Sequence, residues 1–246
     1  MKIALIGYGK MGKMLETTAV GRGHEIVSII DADNTDDFDS EAFRSAEVAL
    51  EFTTPQTAVD NIKRSWAADV KVVCGTTGWT SEALPQLTKA IETNGKTLFW
   101  ASNFSLGVNV FLELNKAIAR LLGNFNQYSV SIEEVHHTQK KDAPSGTAVT
   151  LAEAITDNMD RLHGWTLLPC KEAGKIPIEA IRRDDVCGIH TVRYDSEDDV
   201  ITFSHEAKSR RGFALGAVVA AEFLAERTGF YTMKDLLNSP NTDVYG

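Results

Sequence analysis

The fold is decided by the first twelve residues, in which Lys2-Ile3-Ala4-Leu5-Ile6 runs directly into Gly7-Tyr8-Gly9-Lys10-Met11-Gly12. The first run is apolar and β-branched, as expected for a buried parallel strand. The second has the spacing Gly-x-Gly-x-x-Gly and precedes a helical pattern. In this motif the first glycine permits a tight turn, the second lets a pyrophosphate approach the backbone, and the third lets the helix pack closely on the strand. These residues therefore predict a dinucleotide-binding turn.

A glycine motif alone is weak evidence, because a strand-helix turn with no chemical role can have the same spacing. Here the second predicted strand ends at Asp31, about 20 residues beyond the glycines, where a carboxylate would accept hydrogen bonds from the adenine ribose. The alternative is that Asp31 is only the first acid of a solvated loop. Ala32, rather than a basic residue, follows it. Because a carboxylate repels a 2′-phosphate, we expect NADH to bind at least as well as NADPH.

The first hundred residues alternate between short apolar runs and helical spacing, which is typical of a doubly wound parallel sheet with helices on both faces. The acidic run Asp31–Ser40 is expected to be a surface loop. The expected strands are Ile3–Ile6, Glu25–Ile30, Val48–Phe52, Val70–Cys74 and Thr97–Trp100, and the expected helices are Met11–Arg22, Gln56–Ala68 and Ser81–Thr93.

Three further loops follow predicted strands, namely Phe52-Thr53-Thr54-Pro55, Gly75-Thr76-Thr77-Gly78 and Ala101-Ser102-Asn103-Phe104. In a doubly wound sheet the carboxyl ends of the strands face the ligand crevice. Small and hydroxyl residues there would let backbone and side chains reach a nicotinamide ribose or carboxamide. Turn chemistry alone explains these loops equally well.

After Asn103 the pattern changes, and it predicts a second α+β domain. The expected elements are a helix over Leu106–Leu122, a strand over Tyr128–His136, a helix from Gly146 to about Met159, and strands Ile189–Tyr194 and Val200–His205 in an antiparallel or mixed sheet. A final apolar helix, Phe213–Ala225, is expected to return to the first domain. We therefore expect a dinucleotide-binding domain at residues 1–104 and 212–246 and a second domain at residues 105–211.

The chemistry is concentrated in residues 133–147, which read Glu-Glu-Val-His-His-Thr-Gln-Lys-Lys-Asp-Ala-Pro-Ser-Gly-Thr. His136 and His137 are adjacent on a strand and point to opposite faces, so they cannot share one role. Lys140 lies past the strand and can swing back toward His136. Ser145-Gly146-Thr147 begins a helix, whose free amides can hold an anion. This combination predicts a catalytic segment, although solvated lysines, a turn and a helix cap would produce the same pattern.

Composition narrows the possible partners and ligands. A net charge of −9 repels nucleic acid and anionic membranes, so neither is an expected partner. Cys74, Cys170 and Cys187 form no Cys-x-x-Cys pattern, which predicts free thiols in a reducing compartment. No metal is expected, because adjacent strand histidines diverge and no cysteine or third histidine is nearby in sequence. No signal peptide or membrane span is evident, so a cytoplasmic protein is expected.

Residues 134–148 resemble the signature of dihydrodipicolinate reductases, E-x-H-H-x-x-K-x-D-A-P-S-G-T-A. Residues 101–109 are similar to the A-x-N-F-S-x-G-V-N stretch of that family, and residues 75–78 are similar to its G-T-T-G loop. Residues 188–192 and 209–214 resemble later family elements, so the resemblance covers most of the chain. It implies a Rossmann-like domain, a substrate domain whose sheet builds a homotetramer, and NAD(P)H-dependent reduction of a cyclic dihydrodipicolinate to tetrahydrodipicolinate in the diaminopimelate route to lysine.

The resemblance also implies roles for individual residues. His136 would be the proton donor or acceptor, and Lys140 the second catalytic residue, acting as a proton donor. His137, Gly146 and Thr147 would bind the carboxylates of the substrate. The cofactor would be held by Gly7, Tyr8, Gly9, Lys10, Met11, Gly12, Asp31, Gly75, Thr76, Thr77, Ala101, Ser102, Asn103 and Phe104.

The chain departs from the family pattern in three places. Its glycine loop is one residue shorter than is frequent in the family, Ala32 replaces a commonly basic residue, and Ile189 replaces a glutamate. These differences concern cofactor preference and loop detail rather than the reaction. Two alternatives predict different behaviour: another NAD(P) oxidoreductase would act on a simple keto acid plus ammonia, and an NADH-binding sensor would bind without turnover.

Overall fold

The computed structural model describes residues 1–239. The chain divides into two compact units. One comprises Met1–Leu106 together with the chain from Arg211 onward, and the other comprises Gly107–Arg210. Along the described chain the strands are β1 (Lys2–Ile6), β2 (Glu25–Ile30), β3 (Val48–Glu51), β4 (Lys71–Cys74), β5 (Thr97–Trp100), β6 (Ser129–His136), β7 (Trp165–Leu167), β8 (Ile176–Arg182), β9 (Ile189–Asp195), β10 (Val200–Glu206) and β11 (Gly229–Tyr231).

The helices of the described chain alternate with the first five strands and then become sparser. They are α1 (Lys10–Gly21), α2 (Glu41–Arg44), α3 (Pro55–Ala67), α4 (Thr80–Asn94), α5 (Leu106–Leu122), α6 (Gly146–Thr156), α7 (Arg211–Ala225) and α8 (Met233–Leu237). None of them is long and apolar enough to cross a bilayer.

The first unit is built on a six-stranded sheet with the order β11-β5-β4-β3-β1-β2, in which every pair is parallel. Ile3 and Leu5 pack with α1 and α7 on one face, whereas Ala4 and Ile6 pack toward Phe38 on the other. Because both faces are covered, the strands are continuous apolar runs rather than alternating ones. The predicted Rossmann-like doubly wound sheet is confirmed.

The prediction of an irregular loop over Asp31–Ser40 is wrong in part. The structure has a 3-10 helix at Thr35–Asp39 in this segment, and α2 follows directly. Phe38 is buried and meets Phe43 edge to face, with 4.9 Å between ring centroids. This aromatic contact orders a segment whose many aspartates suggested only solvation. β11 and α8 were also not predicted, because such short elements carry little periodic signal.

The second unit contains a mixed five-stranded sheet with the order β10-β9-β6-β8-β7. β6 is the central strand of this sheet, because it pairs antiparallel with β9 on one side and parallel with β8 on the other. The helices α5 and α6 cover one face, where Phe111 and Leu151 join a core with Ile132, Ile178 and Tyr194. The mixed arrangement is one of the two that the sequence allowed.

Two strands of this sheet, β7 and β8, were missed from sequence. β7 is only three residues long, and Pro177 interrupts the apolar alternation of β8, where proline normally argues against a strand. Parallel pairing of Ile178 with Ile132 nevertheless places β8 beside the centre of the sheet. α6 ends at Thr156, earlier than the predicted Met159.

Candidate active site and cofactor site

Two glycines of the β1–α1 turn are needed for packing, and the third leaves an open space. A Cβ on Gly7, whose φ is +89°, would lie 2.3 Å from the Phe52 carbonyl oxygen, and a Cβ on Gly12 would lie 2.2 Å from the Gly7 carbonyl oxygen. These two glycines are therefore required for packing. A Cβ on Gly9 would meet nothing within 4 Å.

Gly9 is also the N-cap of α1, and no side chain caps that helix. The first amides of α1 thus lack a side-chain acceptor. The space next to Gly9, which a larger side chain would occupy, is open. Helix N-terminal amides of this kind favour phosphate. The turn fits the pyrophosphate of a dinucleotide.

Two cavities lie at the carboxyl ends of the strands of the first unit. One, of about 250 Å³, is lined by Gly7, Tyr8, Gly9, Asp31 and Ala32 among others. The other, of about 350 Å³, is lined by Met11, Gly75, Thr76, Thr77, Ser102, Asn103 and Phe104 among others. Phe52 and Thr53 line both, so the two cavities adjoin. Their position agrees with the ligand crevice of a doubly wound sheet.

Most residues predicted to hold a cofactor therefore line one of these cavities, and three do not. Lys10 is exposed at the first position of α1, Gly12 serves helix packing, and Ala101 is buried. Asp31 follows β2 and is exposed, and its carboxylate accepts a hydrogen bond from the Ala32 amide at 3.0 Å.

The second unit gathers its ionisable side chains around Glu134, which lies on β6 and is fully buried. Glu134 Oε1 accepts hydrogen bonds from the Ser145 amide and from Arg182 Nη2, both at 3.1 Å. Glu134 Oε2 lies 3.1 Å from His136 Nδ1 and 3.9 Å from His190 Nε2. A single carboxylate thus joins β6, β8, β9 and the start of α6.

Ser145 and His190 complete this cluster. The hydroxyl of Ser145 lies 3.0 Å from His190 Nε2 and accepts a hydrogen bond from the Ala148 amide, which caps α6. The rings of His136 and His190 meet edge to face at 5.0 Å between centroids. The N-terminus of α6 is therefore held against the imidazole of His136 through shared partners.

The turn after β6 carries Lys140, whose Nζ bonds both carboxylate oxygens of Asp142 at 2.8 and 2.9 Å. Arg182 on β8 holds the same turn by donating to the backbone oxygens of Asp142 and Lys140. His137 is half-buried at the end of β6, and its carbonyl accepts from the Lys140 amide. The structure thus anchors the predicted catalytic lysine in a turn fixed by an arginine that sequence reasoning missed.

Gly146 and Thr147 occupy the first turn of α6, as the sequence predicted. A Cβ on Gly146 would meet nothing within 4 Å, so the approach to these amides is open within this unit. An acid group could therefore reach the helix start, where the amides and the helix dipole favour negative charge.

The surroundings of Glu134, His190 and Asp142 shift the pKa of each side chain. Burial alone would raise the pKa of Glu134, but hydrogen bonds from His136, Ser145 and Arg182, with the charge of His136, lower it to about 2. Burial lowers the pKa of His190 to about 4, and the charge of His136 contributes. The hydrogen bond from Lys140 lowers the pKa of Asp142. Near neutral pH, Glu134 is a carboxylate and His190 is a neutral imidazole.

The cluster of Glu134, His136 and His190 also bears on the prediction that the protein binds no metal. Ligand atoms of Glu134, His136 and His190 all lie within 4.8 Å of one another, which is close enough to hold an ion. The prediction that no metal binds relied on distance along the chain, whereas His190 lies close to Glu134 and His136 in space. Arg182 and Ser145 already bond two of these side chains, and a cation beside Glu134 disfavours a second positive charge.

Four residues of this cluster were not assigned roles from sequence: Glu134, Ser145, Arg182 and His190. Glu134 and Ser145 lie inside the quoted signature, and His190 lies inside a second resembling stretch, so a signal for them existed. Arg182 had none, because its strand was not predicted. Only the pairing of β6 with both β8 and β9 brings the four together.

A doubly wound sheet with a glycine-rich dinucleotide turn, together with a separate imidazole and carboxylate site, defines the class of nicotinamide-dependent oxidoreductases. Comparison with known families is more specific. The models described as "Dihydrodipicolinate reductase, N-terminus" and "Dihydrodipicolinate reductase, C-terminus" match residues 1–104 and 107–237. The chain belongs to the dihydrodipicolinate reductase family, as the resemblance predicted.

Individual relatives and a solved structure support this family assignment. A 4-hydroxy-tetrahydrodipicolinate reductase of Christiangramia forsetii is 46% identical over 97% of this chain and 98% of its own length. The protein of that name from Lawsonia intracellularis is 33% identical over 96% and 99%. The solved structure of dipicolinate-bound dihydrodipicolinate reductase from Paenisporosarcina sp. TG-14 superposes with a TM-score of 0.75 at 26% identity, covering 94% of this chain and 97% of that one.

Proposed function

We propose that this chain is a 4-hydroxy-tetrahydrodipicolinate reductase, which uses NAD(P)H to reduce the cyclic dihydrodipicolinate species to tetrahydrodipicolinate in the diaminopimelate route to lysine. Family membership and the names of its relatives support this reaction. The observation that carries it is the buried contact between Glu134 and His136 beside the open N-terminus of α6. This arrangement offers a proton and an anion site in the same unit.

His136 is proposed to supply the proton. Because the carboxylate of Glu134 lies 3.1 Å from Nδ1 of His136, Nε2 is the ring nitrogen left to give a proton to the substrate. A Cβ on Gly188 would lie 3.0 Å from that Nε2, so the glycine keeps the space around it free. A bound reduced nicotinamide would supply the hydride. After hydride transfer the substrate takes up one proton, which His136 would deliver and Lys140 would then replace.

The carboxylates of the substrate are proposed to bind at the start of α6. The amides of Gly146 and Thr147 and the hydroxyl of Thr147 would donate hydrogen bonds to one acid group, with His137 as a further ligand. Lys140 would add positive charge and act as the second proton donor, after leaving Asp142. Fixing an acid group orients the ring relative to His136 and lowers the entropic part of the barrier.

The cofactor is proposed to bind along the two adjoining cavities of the first unit, with its pyrophosphate at the Gly7–Gly12 turn. The exposed carboxylate of Asp31 would accept hydrogen bonds from an adenine ribose and would repel a 2′-phosphate. Ala32 offers no positive charge to compensate. We therefore expect NADH to be used at least as well as NADPH.

The test is a coupled assay. An upstream synthase makes the substrate from pyruvate and aspartate semialdehyde, and oxidation of NADH and NADPH is followed separately. We expect turnover by the wild-type chain and a loss of about 10²- to 10⁴-fold in kcat for His136→Ala, since a positioned general acid contributes that much. The dissociation constant for NADH should stay unchanged.

His163→Ala is the matched control, because His163 is an exposed histidine of the same unit. It should keep full turnover. Equal loss of turnover and of NADH affinity in His136→Ala would contradict the role of His136, and absence of wild-type turnover with either cofactor would contradict the proposed reaction itself.

A further inference from the structure

The buried carboxylate of Glu51, at the end of β3 in the first unit, has no role in the account given so far. Its side chain is 0% exposed. Oε1 accepts hydrogen bonds from the Thr53 hydroxyl and from Asn61 Nδ2, the latter at 3.3 Å. Oε2 accepts from the thiol of Cys74 at 3.0 Å. Three donors thus point at two oxygens, which suits a carboxylate that only accepts.

Along residues 1–239, no lysine, arginine or histidine nitrogen makes an ion pair with Glu51. Burial raises the pKa of the Cys74 thiol well above its usual value, and the charge of Glu51 raises it further, so Cys74 remains a donor. Burying a charge that has no counter-charge is costly, because water no longer solvates it.

Two of the hydrogen-bond partners of Glu51, Thr53 and Asn61, line the cofactor cavities. Thr53 lines both cavities, and its amide donates to Thr76 Oγ1 at 2.8 Å. Thr76 lines the larger cavity, none of whose described lining residues is charged. Glu51 therefore lies directly behind an uncharged wall, where its field is weakly screened.

The position of the Glu51 carboxylate matters because the adenine end and the nicotinamide end of a dinucleotide differ in charge. The smaller cavity contains the glycine turn and Asp31, which suit the phosphates and the adenine ribose. The nicotinamide end would then extend into the larger cavity, beside Thr53 and Thr76. A nicotinamide ring is neutral when reduced and carries one positive charge when oxidised.

We propose that Glu51 is a positioning residue whose buried charge, held behind Thr53, favours the oxidised nicotinamide over the reduced one. This inference rests on the proposed function and deepens it. When the reduced ring gives up a hydride, with its electron pair, to the substrate, the ring becomes cationic. A fixed negative charge behind the cavity wall stabilises that product and also the partial charge of the transition state.

The experiment compares the dissociation constants of NAD⁺, by calorimetry, and of NADH, by fluorescence, in Glu51→Gln and wild type. Glutamine keeps the size and one acceptor but removes the charge. We expect the affinity for NAD⁺ to fall about tenfold more than the affinity for NADH, as loss of a weakly screened charge interaction implies. Equal losses, or none, would show a merely structural role and overturn the proposal.

Cys74→Ser is the matched control, because serine keeps a donor for Oε2 and changes no charge. The ratio of the two constants should stay at the wild-type value. If Glu51→Gln does not fold by circular dichroism, Glu51→Asp, which retains the charge, must also keep the wild-type ratio, and a shifted ratio there overturns the proposal.

These binding measurements need no substrate. Failure of the proposed reaction would appear as absent turnover with intact cofactor binding, whereas failure of this inference would appear as an unchanged ratio in a protein that still turns over.

Discussion

At the scale of single residues, Glu134 and His190 show how one buried site holds a charged group and a neutral group side by side. Glu134 stays ionised because Ser145, Arg182 and His136 surround it with donors. His190 stays neutral because burial disfavours its charged form. The ionised acid lies against Nδ1 of His136, while His190 fixes the helix cap through Ser145 without adding charge.

This difference predicts a pH dependence of stability. The pKa of His190 falls from 6.5 to about 4 in the folded chain, so the unfolded chain binds the proton more tightly. Its contribution to stability is complete above pH 6.5 and is lost as pH falls toward 4. We expect the wild-type free energy of unfolding to fall over this range with a term of up to about 1.4 kcal/mol per pH unit from this histidine.

Urea denaturation at several pH values checks the prediction. His190→Asn should have a flatter pH profile over this range, whatever its stability at pH 7, whereas His163→Asn, at an exposed position, should keep the wild-type slope. A wild-type slope in His190→Asn would show that the acid sensitivity arises elsewhere.

At the scale of elements, the β1–α1 turn separates residues that serve packing from residues that serve a ligand. Gly12→Ala forces a Cβ to within 2.2 Å of the Gly7 carbonyl oxygen. We expect it to lower the free energy of unfolding by about 1–3 kcal/mol, as overpacking does. Gly9→Ala meets no protein atom within 4 Å and should change stability by less than about 0.5 kcal/mol.

The cofactor affinity should respond in a different way. Gly9→Ala places a methyl group where the pyrophosphate would approach, so its dissociation constant for NADH should rise by at least about tenfold. Urea denaturation and fluorescence titration measure the two quantities on the same samples. Unchanged NADH binding in Gly9→Ala would mean that the open space at this turn is not the phosphate site.

Local patterns predicted these elements to different degrees. The strands β1 to β5 and the helix α5 were predicted closely, because a buried run or a long amphipathic helix repeats its signal over many residues. β8 was missed because Pro177 interrupts the pattern, and the 3-10 helix was missed because acidic residues surround Phe38. In both segments a tertiary contact, rather than local propensity, decided the conformation.

At the scale of the whole molecule, the sheet of the second unit has one face covered by α5 and α6 of that unit. The alternate residues Ser131, Glu133, Thr191 and Arg193 line an open depression of about 380 Å³ with Thr202 on the same sheet. Because strand residues alternate between faces, these side chains point away from the core. We propose that this face forms contacts between subunits in the expected homotetramer.

Sedimentation velocity tests the assembly. We expect a mass about four times the 27.0 kDa of the chain. Ser131→Arg, on the central strand and directly opposite Arg193, should lower the mass by placing like charges together. Thr150→Arg, on the exposed side of α6, is the control and should not. A wild-type monomer with full turnover would contradict the tetramer.

The sequence by itself determined the doubly wound sheet, the family and the segment that carries the proposed chemistry, because each is written in residues adjacent along the chain. Only the tertiary structure brought Arg182 and His190 to Glu134, since strand pairing joins parts of the chain that share no local pattern. It alone also revealed the buried charge of Glu51 behind the cavity wall. Burial and electrostatic environment arise from packing, so they exist only once distant segments meet.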